Sequence, residues 1–578
     1  MTAMAHASWT DQIDAVLSTT SDLLFSWVLM WLLVGAGIFF TIRTRAVQLR
    51  HTNAIAASVA GSRDGRHGGI TSFQAFAVGL ACRVGTGNIV GVALALIMGG
   101  PGAVLWMWLV AILGTATAFS EATLAQLFKV RRADGTYRGG PAYYISRGLR
   151  LPILGAVFAI VFLIANGLVM PMVQANAITS SLQGAGGISP SLGAVLVVVL
   201  TAPVLLGGLR VMARVAEYLA PLMALAYLVL VLAILLTHPV QAWEALRSII
   251  EGAFGLRQGL GGLAGGVTAA LLNGVRRGLF SNEAGLGGAA CAAGSATVEH
   301  PVQQGFIQAF GVVVDTLFVC TATALAILVA GADVFQPGAT AKETAGTLTQ
   351  DAIAQLVGEW SRWPMALLVV VLAYTTIIGA FSYAQVCLDY LTDRPWVSRA
   401  LQIGAVICAG IGSVQQLTTV WTLADVLLGV GAIINLAALV LLSRWVVGAL
   451  RDWESRRGAP TSDGSRPAFS GDSEHLPSAL PEGAWERPVI REIHGVEADC
   501  APCVLVAPSA QRRHRIETQC PYPSRIRCPT PPRREVDLGV TRDSLLTMLP
   551  RSRAHRPPRL YRYPTPTEVL TCNRFWLP

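Results

Sequence analysis

The chain has few charged residues for its length, and it has almost no lysine. Charged side chains make up 13% of its 578 residues and hydrophobic side chains 53%, and the mean hydropathy is +0.54. Because soluble domains carry roughly 25% charged residues, this composition excludes an ordinary soluble domain and indicates a membrane protein with many spans. Lys129 and Lys342 are the only lysines, so arginine supplies nearly all of the positive charge.

The sequence also lacks the motifs of other function classes. It contains no HExxH motif, which an intramembrane metalloprotease would need. The net charge of +9 does not indicate nucleic-acid binding, because most arginines lie between apolar segments or in the C-terminal tail. Residues 1–22 are polar, and no small-residue cleavage site follows the first apolar run, so we expect no cleavable signal peptide. We therefore expect no enzymatic activity, no cofactor and no nucleic-acid partner.

Eleven apolar segments are long enough to cross a bilayer, which takes about 20 residues at 1.5 Å each. They lie near residues 23–42, 73–98, 101–128, 152–182, 189–208, 211–236, 262–295, 303–331, 363–391, 399–416 and 419–449. The predicted fold class is an all-α polytopic membrane protein, with a transmembrane domain over 23–450 and an N-terminal segment over 1–22. Residues 459–578 are rich in Pro and Arg and have no spanning run, so we predict a disordered or anomalous tail.

The basic residues between the predicted helices are divided unequally between two sides. The richer side carries Arg43, Arg45, Arg50, Arg63, Arg66, Lys129, Arg131, Arg132, Arg138, Arg147, Arg150, Arg210, Arg214, Arg394, Arg399, Arg444, Arg451, Arg456 and Arg457. The other side carries only Arg247, Arg257, Lys342 and Arg362. Positive-inside bias then predicts an inner (cytoplasmic) cell membrane protein with its N-terminus outside and its C-terminus in the cytoplasm.

Two of the predicted helices contain glycine-rich breaks. Apart from the first helix, the spans form two groups of five, over 73–236 and 262–449, which enter the bilayer in opposite senses. The first helix of each group is interrupted, by RVGTGN at 83–88 and by FSNEAGLG at 280–287. A helix in lipid unwinds only beside protein or a polar cavity, and paired breaks in matching halves are typical of a secondary transporter's binding site.

The two breaks offer opposite partial charges. Gly85 and Gly87 free N–H groups at the positive end of a half-helix, which suits a carboxylate, and Thr86 and Asn88 add polar side chains. Exposed carbonyls at the second break suit an ammonium group or a sodium ion. A zwitterion fits both breaks, although a glycine kink that serves helix packing is the alternative interpretation of the first break.

The intramembrane carboxylates leave alternatives open. Glu283 is either an ion ligand or proton carrier, or a structural brace with one of three arginines: Arg83, Arg276 or Arg277. We interpret Glu121 and Asp315 as braces of the helix bundle or as part of its inner mouth.

Other polar residues lie within the predicted spans. Gln174 and Asn176 either donate to a substrate carboxylate or form interhelical hydrogen bonds. Thr375 and Thr376 place adjacent hydroxyl groups in an apolar run, where they suit a hard cation or join two helices.

Several stretches resemble one known family. They are ACRVGTGNIVGVALAL, GGPGAVLWMWLVAILG, GGPAYYI, VQANAI, RRGLFSNEAGLGGA, VVDTLFVCTATAL and AYTTIIG. In this order they resemble the alanine or glycine:cation symporter family, whose members are sodium-coupled carriers of small neutral amino acids. The resemblance runs from about residue 20 to residue 450. It implies a leucine-transporter-like fold with one extra N-terminal helix and two inverted five-helix repeats.

The resemblance also implies a set of site residues. The substrate carboxylate would bind at Thr86, Gly87, Asn88 and Gln174, and its ammonium group at carbonyls of Phe280, Ser281 and Asn282. Sodium would bind to backbone oxygens near Ala81 and Val84 and to the hydroxyls of Thr375 and Thr376. The expected function is uptake of alanine or glycine with sodium by alternating access. The alternative is a proton-coupled carrier that relies on Glu283 or another carboxylate.

The chain departs from the family pattern at two positions of the ninth predicted helix. Ala380 stands at or next to a position where relatives usually have a larger aromatic residue, so a side chain larger than that of alanine could fit. Gln385 stands where relatives have Glu, which puts any coupling or structural role of that carboxylate in doubt. The tail after residue 458 has no counterpart in the family.

Overall fold

A computed structural model describes residues 9–62, 70–255, 263–457 and 469–485, together with the pairs 505–506 and 569–570. Contacts divide the chain into one unit over residues 1–486 and a second over 487–578. In the second unit, β3 (Leu505–Val506) pairs antiparallel with β4 (Val569–Leu570). The predicted disorder of the tail concerns residues that lie mostly outside the described ones.

The described part of the first unit is almost entirely helical. Its helices are α1 Trp9–Leu23, α2 Met30–Arg43, α3 Val47–Arg50, α4 Thr52–Ala60, α5 Ser72–Arg83, α6 Val92–Gly99, α7 Ala103–Leu127, α8 Pro141–Gly148, α9 Pro152–Ile164, α10 Met170–Gly186, α11 Pro190–Leu206, α12 Leu209–Thr237, α13 Pro239–Ala253, α14 Leu263–Asn282, α15 Gly288–Gly294, α16 Pro301–Val312, α17 Thr321–Val329, α18 Leu348–Val357, α19 Arg362–Leu391, α20 Pro395–Gly412, α21 Leu417–Leu441 and α22 Ser443–Arg457. Wider π-helical turns at Leu24–Leu29, Gly87–Gly91, Ala165–Val169 and Val313–Cys320 continue some of them, and 3₁₀ turns occur at Lys342–Gly346 and Glu359–Ser361. A short hairpin joins β1 (Val130–Arg131) to β2 (Tyr137–Arg138).

The predicted spans coincide with these helices. Seven helical stretches among the described residues are long and apolar enough to cross a membrane, and the pair Ser72–Arg83 and Gly87–Gly99, bent by 45°, makes an eighth. The other predicted spans correspond to the shorter α11, to α14 with α15, and to α20. Arg276 and Arg277 lower the hydropathy of α14, which explains why hydropathy alone does not identify it as a span.

Both predicted breaks are present, and they differ in backbone geometry. After α5 the chain leaves helical geometry at Val84 (φ −80°, ψ 80°) and resumes as a π-helical turn at Gly87. After α14 three residues adopt positive φ: Glu283 (+56°), Gly285 (+89°) and Gly287 (+99°). Glycine tolerates this region, whereas a residue with a Cβ atom is strained there.

The helices around the breaks shield them from lipid. The first break helix packs through α5 against α12 and α19, and the second packs through α14 against α6 and α7. Residues 83–93 and 281–293 are all buried. The unwound backbone is therefore enclosed by protein, as a bilayer requires.

The described stretch of the tail, residues 469–485, packs against the ends of α7 and α22. Trp485 Nε1 donates to the carbonyl of Gln126 over 2.7 Å, and the Trp485 ring lies 5.0 Å from that of Phe469. The hydroxyl of Ser473 donates to Asp452 of α22. This stretch therefore belongs structurally to the transmembrane unit.

We expect Trp485→Ala to lower the stability of the protein by about 2 kcal/mol, because it removes this hydrogen bond and the aromatic packing. Thermal unfolding of the detergent-solubilised protein measures the change. Trp360→Ala is the matched control, since Trp360 is 68% exposed. Equal unfolding temperatures for the two variants would contradict the packing role of Trp485.

Lys129 lies just beyond the end of α7 and is buried. Its Nζ donates to the carbonyl of Ala296 over 3.0 Å and lies 4.4 Å from the Tyr137 ring and 4.6 Å from the Trp485 ring. Burial lowers the pKa of Lys129 to about 7. Between that pH and the ordinary lysine value the unfolded chain binds more protons than the folded one, so this group makes stability rise with pH.

We therefore expect the unfolding temperature of the native protein to rise between about pH 7 and pH 10, and Lys129→Met to weaken that rise. Thermal unfolding at several pH values tests this expectation. Parallel curves for the native protein and the variant would show that Lys129 does not titrate in this window.

Candidate functional site

Contacts across the bundle fix the first break. Thr86 Oγ1 donates to Gln174 Oε1 of α10 over 2.9 Å, and the N–H of Gly85 donates to Asn88 Oδ1 over 3.0 Å. Thr86, Gly87, Asn88 and Gln174 are all buried. Among the described residues nothing pairs with Gln174 Nε2. A buried N–H group without a partner is one that a carboxylate oxygen can satisfy.

The second break touches the first. A Cβ atom on Gly87 would lie 3.3 Å from the Phe280 ring and 3.5 Å from the α-carbon of Ser281. The structure thus brings both sets of predicted substrate residues together. The carbonyl of Asn282 already accepts from Arg83 Nε over 2.9 Å, so an ammonium group there would share that oxygen with a guanidinium group.

Asp315 lies beside both breaks, which the sequence did not predict. Its carboxylate accepts from Asn88 Nδ2 over 2.5 Å and from the hydroxyl of Ser281 over 2.7 Å. A third donor is the hydroxyl of Thr316, also at 2.7 Å. Asp315 is fully buried, and it is part of the π-helical turn that joins α16 to α17. A polar residue inside an apolar span was the available signal, but the spacing does not show which helix it faces.

The predicted sodium residues are only partly brought together. Thr376 Oγ1 donates to the carbonyl of Ala81 over 2.8 Å, and a Cβ atom on Gly85 would overlap the same hydroxyl group. Val84 is buried next to Gly85 in the unwound chain. By contrast, Thr375 Oγ1 donates to the carbonyl of Leu372 in its own helix. Thr376, not Thr375, is therefore the hydroxyl that contacts the first break.

Glu283 does not pair with an arginine among the described residues. Its carboxylate accepts from Cys82 Sγ over 3.0 Å and from the Tyr383 hydroxyl over 3.2 Å. Instead of joining Glu283, Arg83 donates to Asn282 and to Gln308. Among the described residues no ion pair joins Glu283 to the three arginines considered above, and Glu283 instead connects the second break to α5 and α19.

Two other polar residues join helices. Glu121 of α7 accepts from the N–H of Gly285 over 2.8 Å and from Asn435 Nδ2 over 3.3 Å, so it supports the second break. Asn176 donates to the carbonyls of Gly412 and Gln415, which is the interhelical alternative considered above.

The two positions at which the chain departs from the family pattern are both on α19. Ala380 is completely buried. Gln385 lies further along the helix, where it donates to Asp389 over 3.0 Å and accepts from the hydroxyl of Ser398 over 3.0 Å. Hydrogen bonds to α19 and α20 therefore occupy both ends of the Gln385 amide.

Ion pairs lie on either side of the breaks. On α14, Arg277 pairs with Asp425 over 2.7 Å, and the Phe280 ring lies 4.6 Å from the Trp421 ring. At the other end, Arg138 of the β1–β2 hairpin pairs with Asp389 of α19 over 2.6 Å. Ion pairs therefore join α14 to α21 near the second break and the β1–β2 hairpin to α19.

The profile of the sodium:alanine symporter family matches residues 10–467. The chain belongs to this family. It is 38% identical over 462 residues to a probable sodium/glutamine symporter, GlnT, of Bacillus subtilis. The match covers 80% of this chain and 94% of that protein. It is 35% identical over 455 residues to the sodium/alanine symporter AgcS of Methanococcus maripaludis. This match covers 77% of this chain and 98% of that protein.

A solved structure has a similar fold. The crystal structure of MhsT in complex with L-phenylalanine superposes with a TM-score of 0.51 at 14% identity, over 67% of this chain and 93% of that one. The predicted leucine-transporter-like fold and the resemblance to the alanine or glycine:cation symporter family are both confirmed. This family member is a multi-pass membrane symporter that couples amino-acid transport to sodium, and it is not an enzyme.

Gly85→Ala is expected to abolish uptake, because the added methyl group overlaps Thr376 and forces the first break away from α19. Sodium-driven uptake of a labelled amino acid by the reconstituted protein measures the effect, and size-exclusion chromatography checks folding. Gly35→Ala is the control, since a Cβ atom there meets nothing within 4 Å. Uptake by Gly85→Ala at the native rate would contradict the close approach.

Proposed function

We propose that this symporter takes up alanine or glycine together with sodium by alternating access. One observation carries the proposal: Gly87 of the anion-facing break lies against Phe280 and Ser281 of the cation-facing break. A zwitterion at this junction has partial positive charge beside its carboxylate and partial negative charge beside its ammonium group. A small substrate suits the close spacing of the two breaks.

The proposed substrate contacts follow from that polarity. The carboxylate binds at Thr86, Gly87 and Asn88, with Gln174 Nε2 as the additional donor. The ammonium group binds at the carbonyls of the second break, those of Phe280, Ser281 and Asn282. Support comes from the burial of these residues other than the half-buried Phe280, and from Gln174 Nε2, which has no partner among the described residues.

Sodium is proposed to bind to the backbone oxygens of Ala81 and Val84 and to the hydroxyl of Thr376. The hydroxyl of Thr375, the other predicted ligand, donates to Leu372 in its own helix and is left out of this proposal. Carbonyl and hydroxyl oxygens suit a hard cation, and the contact of Thr376 with Ala81 supports this location. Because the ion and the substrate both bind at the first break, each raises the affinity for the other.

Alternating access would open the bundle on one side at a time. With the N-terminus outside, the Arg277–Asp425 pair closes the outer side and the Arg138–Asp389 pair closes the inner side. This orientation in the inner membrane rests on the distribution of basic residues.

Glutamine is a second candidate substrate. The chain is 38% identical to a probable sodium/glutamine symporter, and the small side chain of Ala380 is proposed to leave space for a longer substrate. Uptake of labelled alanine, glycine and glutamine into proteoliposomes, with and without a sodium gradient, separates the candidates. Absence of alanine and glycine uptake under any gradient contradicts the main proposal, and uptake driven by a pH gradient alone favours a proton-coupled carrier.

Thr376→Val is expected to raise the sodium concentration for half-maximal uptake about tenfold, since one oxygen ligand at the first break is lost. Thr375→Val is the matched control and should change it much less, because the hydroxyl of Thr375 bonds to its own helix. The sodium dependence of alanine uptake by both variants provides the comparison. Equal effects would show that both hydroxyls, or neither, bind the ion.

A further inference from the structure

Asp315 is bonded to one polar residue from each break. Oδ1 accepts from Asn88 Nδ2 over 2.5 Å, and Oδ2 accepts from the Ser281 hydroxyl over 2.7 Å. Asn88 follows the unwound part of the first break, and Ser281 lies in the last turn of α14. A single buried side chain thus joins the anion-facing break to the cation-facing break.

The contact determines which way the Asn88 amide is turned. An ionised carboxylate only accepts hydrogen bonds, so Asp315 binds the NH₂ end of the amide. The oxygen end then accepts from the N–H of Gly85 over 3.0 Å. Among the described residues, the Asn88 NH₂ group bonds to the side chain and carbonyl of Asp315 and otherwise only to Cys320 Sγ at 3.4 Å, a weak acceptor. Without the carboxylate, the amide would lose its strongest partner, and its orientation would be held only by the weaker contacts with Gly85 and the Asp315 carbonyl.

The carboxylate itself is almost fully occupied. Two carboxylate oxygens provide about four acceptor positions. Asn88, Ser281 and Thr316 fill three of them. Asp315 is therefore placed to orient its neighbours through hydrogen bonds.

We infer that Asp315 is a positioning residue of the substrate site, which keeps Asn88 and Ser281, and with them the two breaks, in register. It acts through these side chains and does not itself touch the amino acid. This role rests on the proposed function, since it assigns Asn88 and Ser281 to the substrate.

Proteoliposome uptake of labelled alanine by four variants tests the inference: Asp315→Ala, Asp315→Asn, Asn88→Ala and the double variant Asp315→Ala with Asn88→Ala. We expect Asp315→Ala to raise KM about tenfold or more, as loss of a hydrogen bond to a buried charge implies. Adding Asn88→Ala to it should raise KM further by less than about threefold, because both changes remove one shared interaction.

The conservative variant separates positioning from ion binding. In Asp315→Asn the new amide can still accept from Asn88 and donate to the hydroxyls, so uptake should keep its sodium dependence with KM within about threefold of the native value. Loss of sodium dependence in Asp315→Asn would overturn the inference, because it would make Asp315 an ion ligand. Independent, multiplicative effects of the two alanine changes would also overturn it.

Thr323→Val is the matched control for lost buried polarity on the same stretch of helix. Its hydroxyl bonds to Tyr227 and to Val319, away from both breaks, so KM should stay close to the native value. If Asp315→Ala does not fold, Asp315→Asn alone and combined with Asn88→Ala decides the question. Failure of the native protein to take up alanine with sodium would contradict the proposed function, whereas normal native uptake with an unaffected Asp315→Ala would contradict only this inference.

Discussion

The rest of the site depends on how this protein supplies hydrogen-bond partners to the unwound backbone, because the core of a bilayer contains no water that could do so. Each unpaired N–H or C=O group in the hydrocarbon core costs several kcal/mol, so a broken helix needs partners from its neighbours. The two breaks obtain those partners from side chains on other helices. The pairs are Glu121 with the N–H of Gly285, Arg83 with the carbonyl of Asn282, and Thr376 with the carbonyl of Ala81.

These partners also explain how two breaks become one site. Arg83 lies at the end of the first break helix and holds the backbone of the second, while Asp315 bonds to side chains of both. A movement of either break must therefore exchange several buried hydrogen bonds at once. Packed interiors with discrete hydrogen-bond arrangements switch between states, which is the behaviour that alternating access requires.

Much of the fold could be predicted from the sequence. Each predicted span corresponds to a helix or a helix pair, and both breaks are where glycine and polar residues interrupt apolar runs. The predicted substrate residues of the two breaks meet at Gly87 and Phe280. The hydrogen-bond partners of the buried side chains were harder to predict. In the described part of the chain, Glu283 bonds to Cys82 and Tyr383 and forms no ion pair with an arginine, because helix rotation and not chain position decides which partner a side chain reaches.

The sequence by itself determined that this chain crosses the membrane many times and where its helices break. Those features depend on local composition and on the hydrogen-bonding needs of nearby backbone. Only the tertiary structure decided that Thr376 and not its neighbour Thr375 contacts the first break, and that Asp315 joins both breaks. Adjacent residues on a helix point about 100° apart, so their roles are fixed by the packing of α19 and α16–α17 against the breaks.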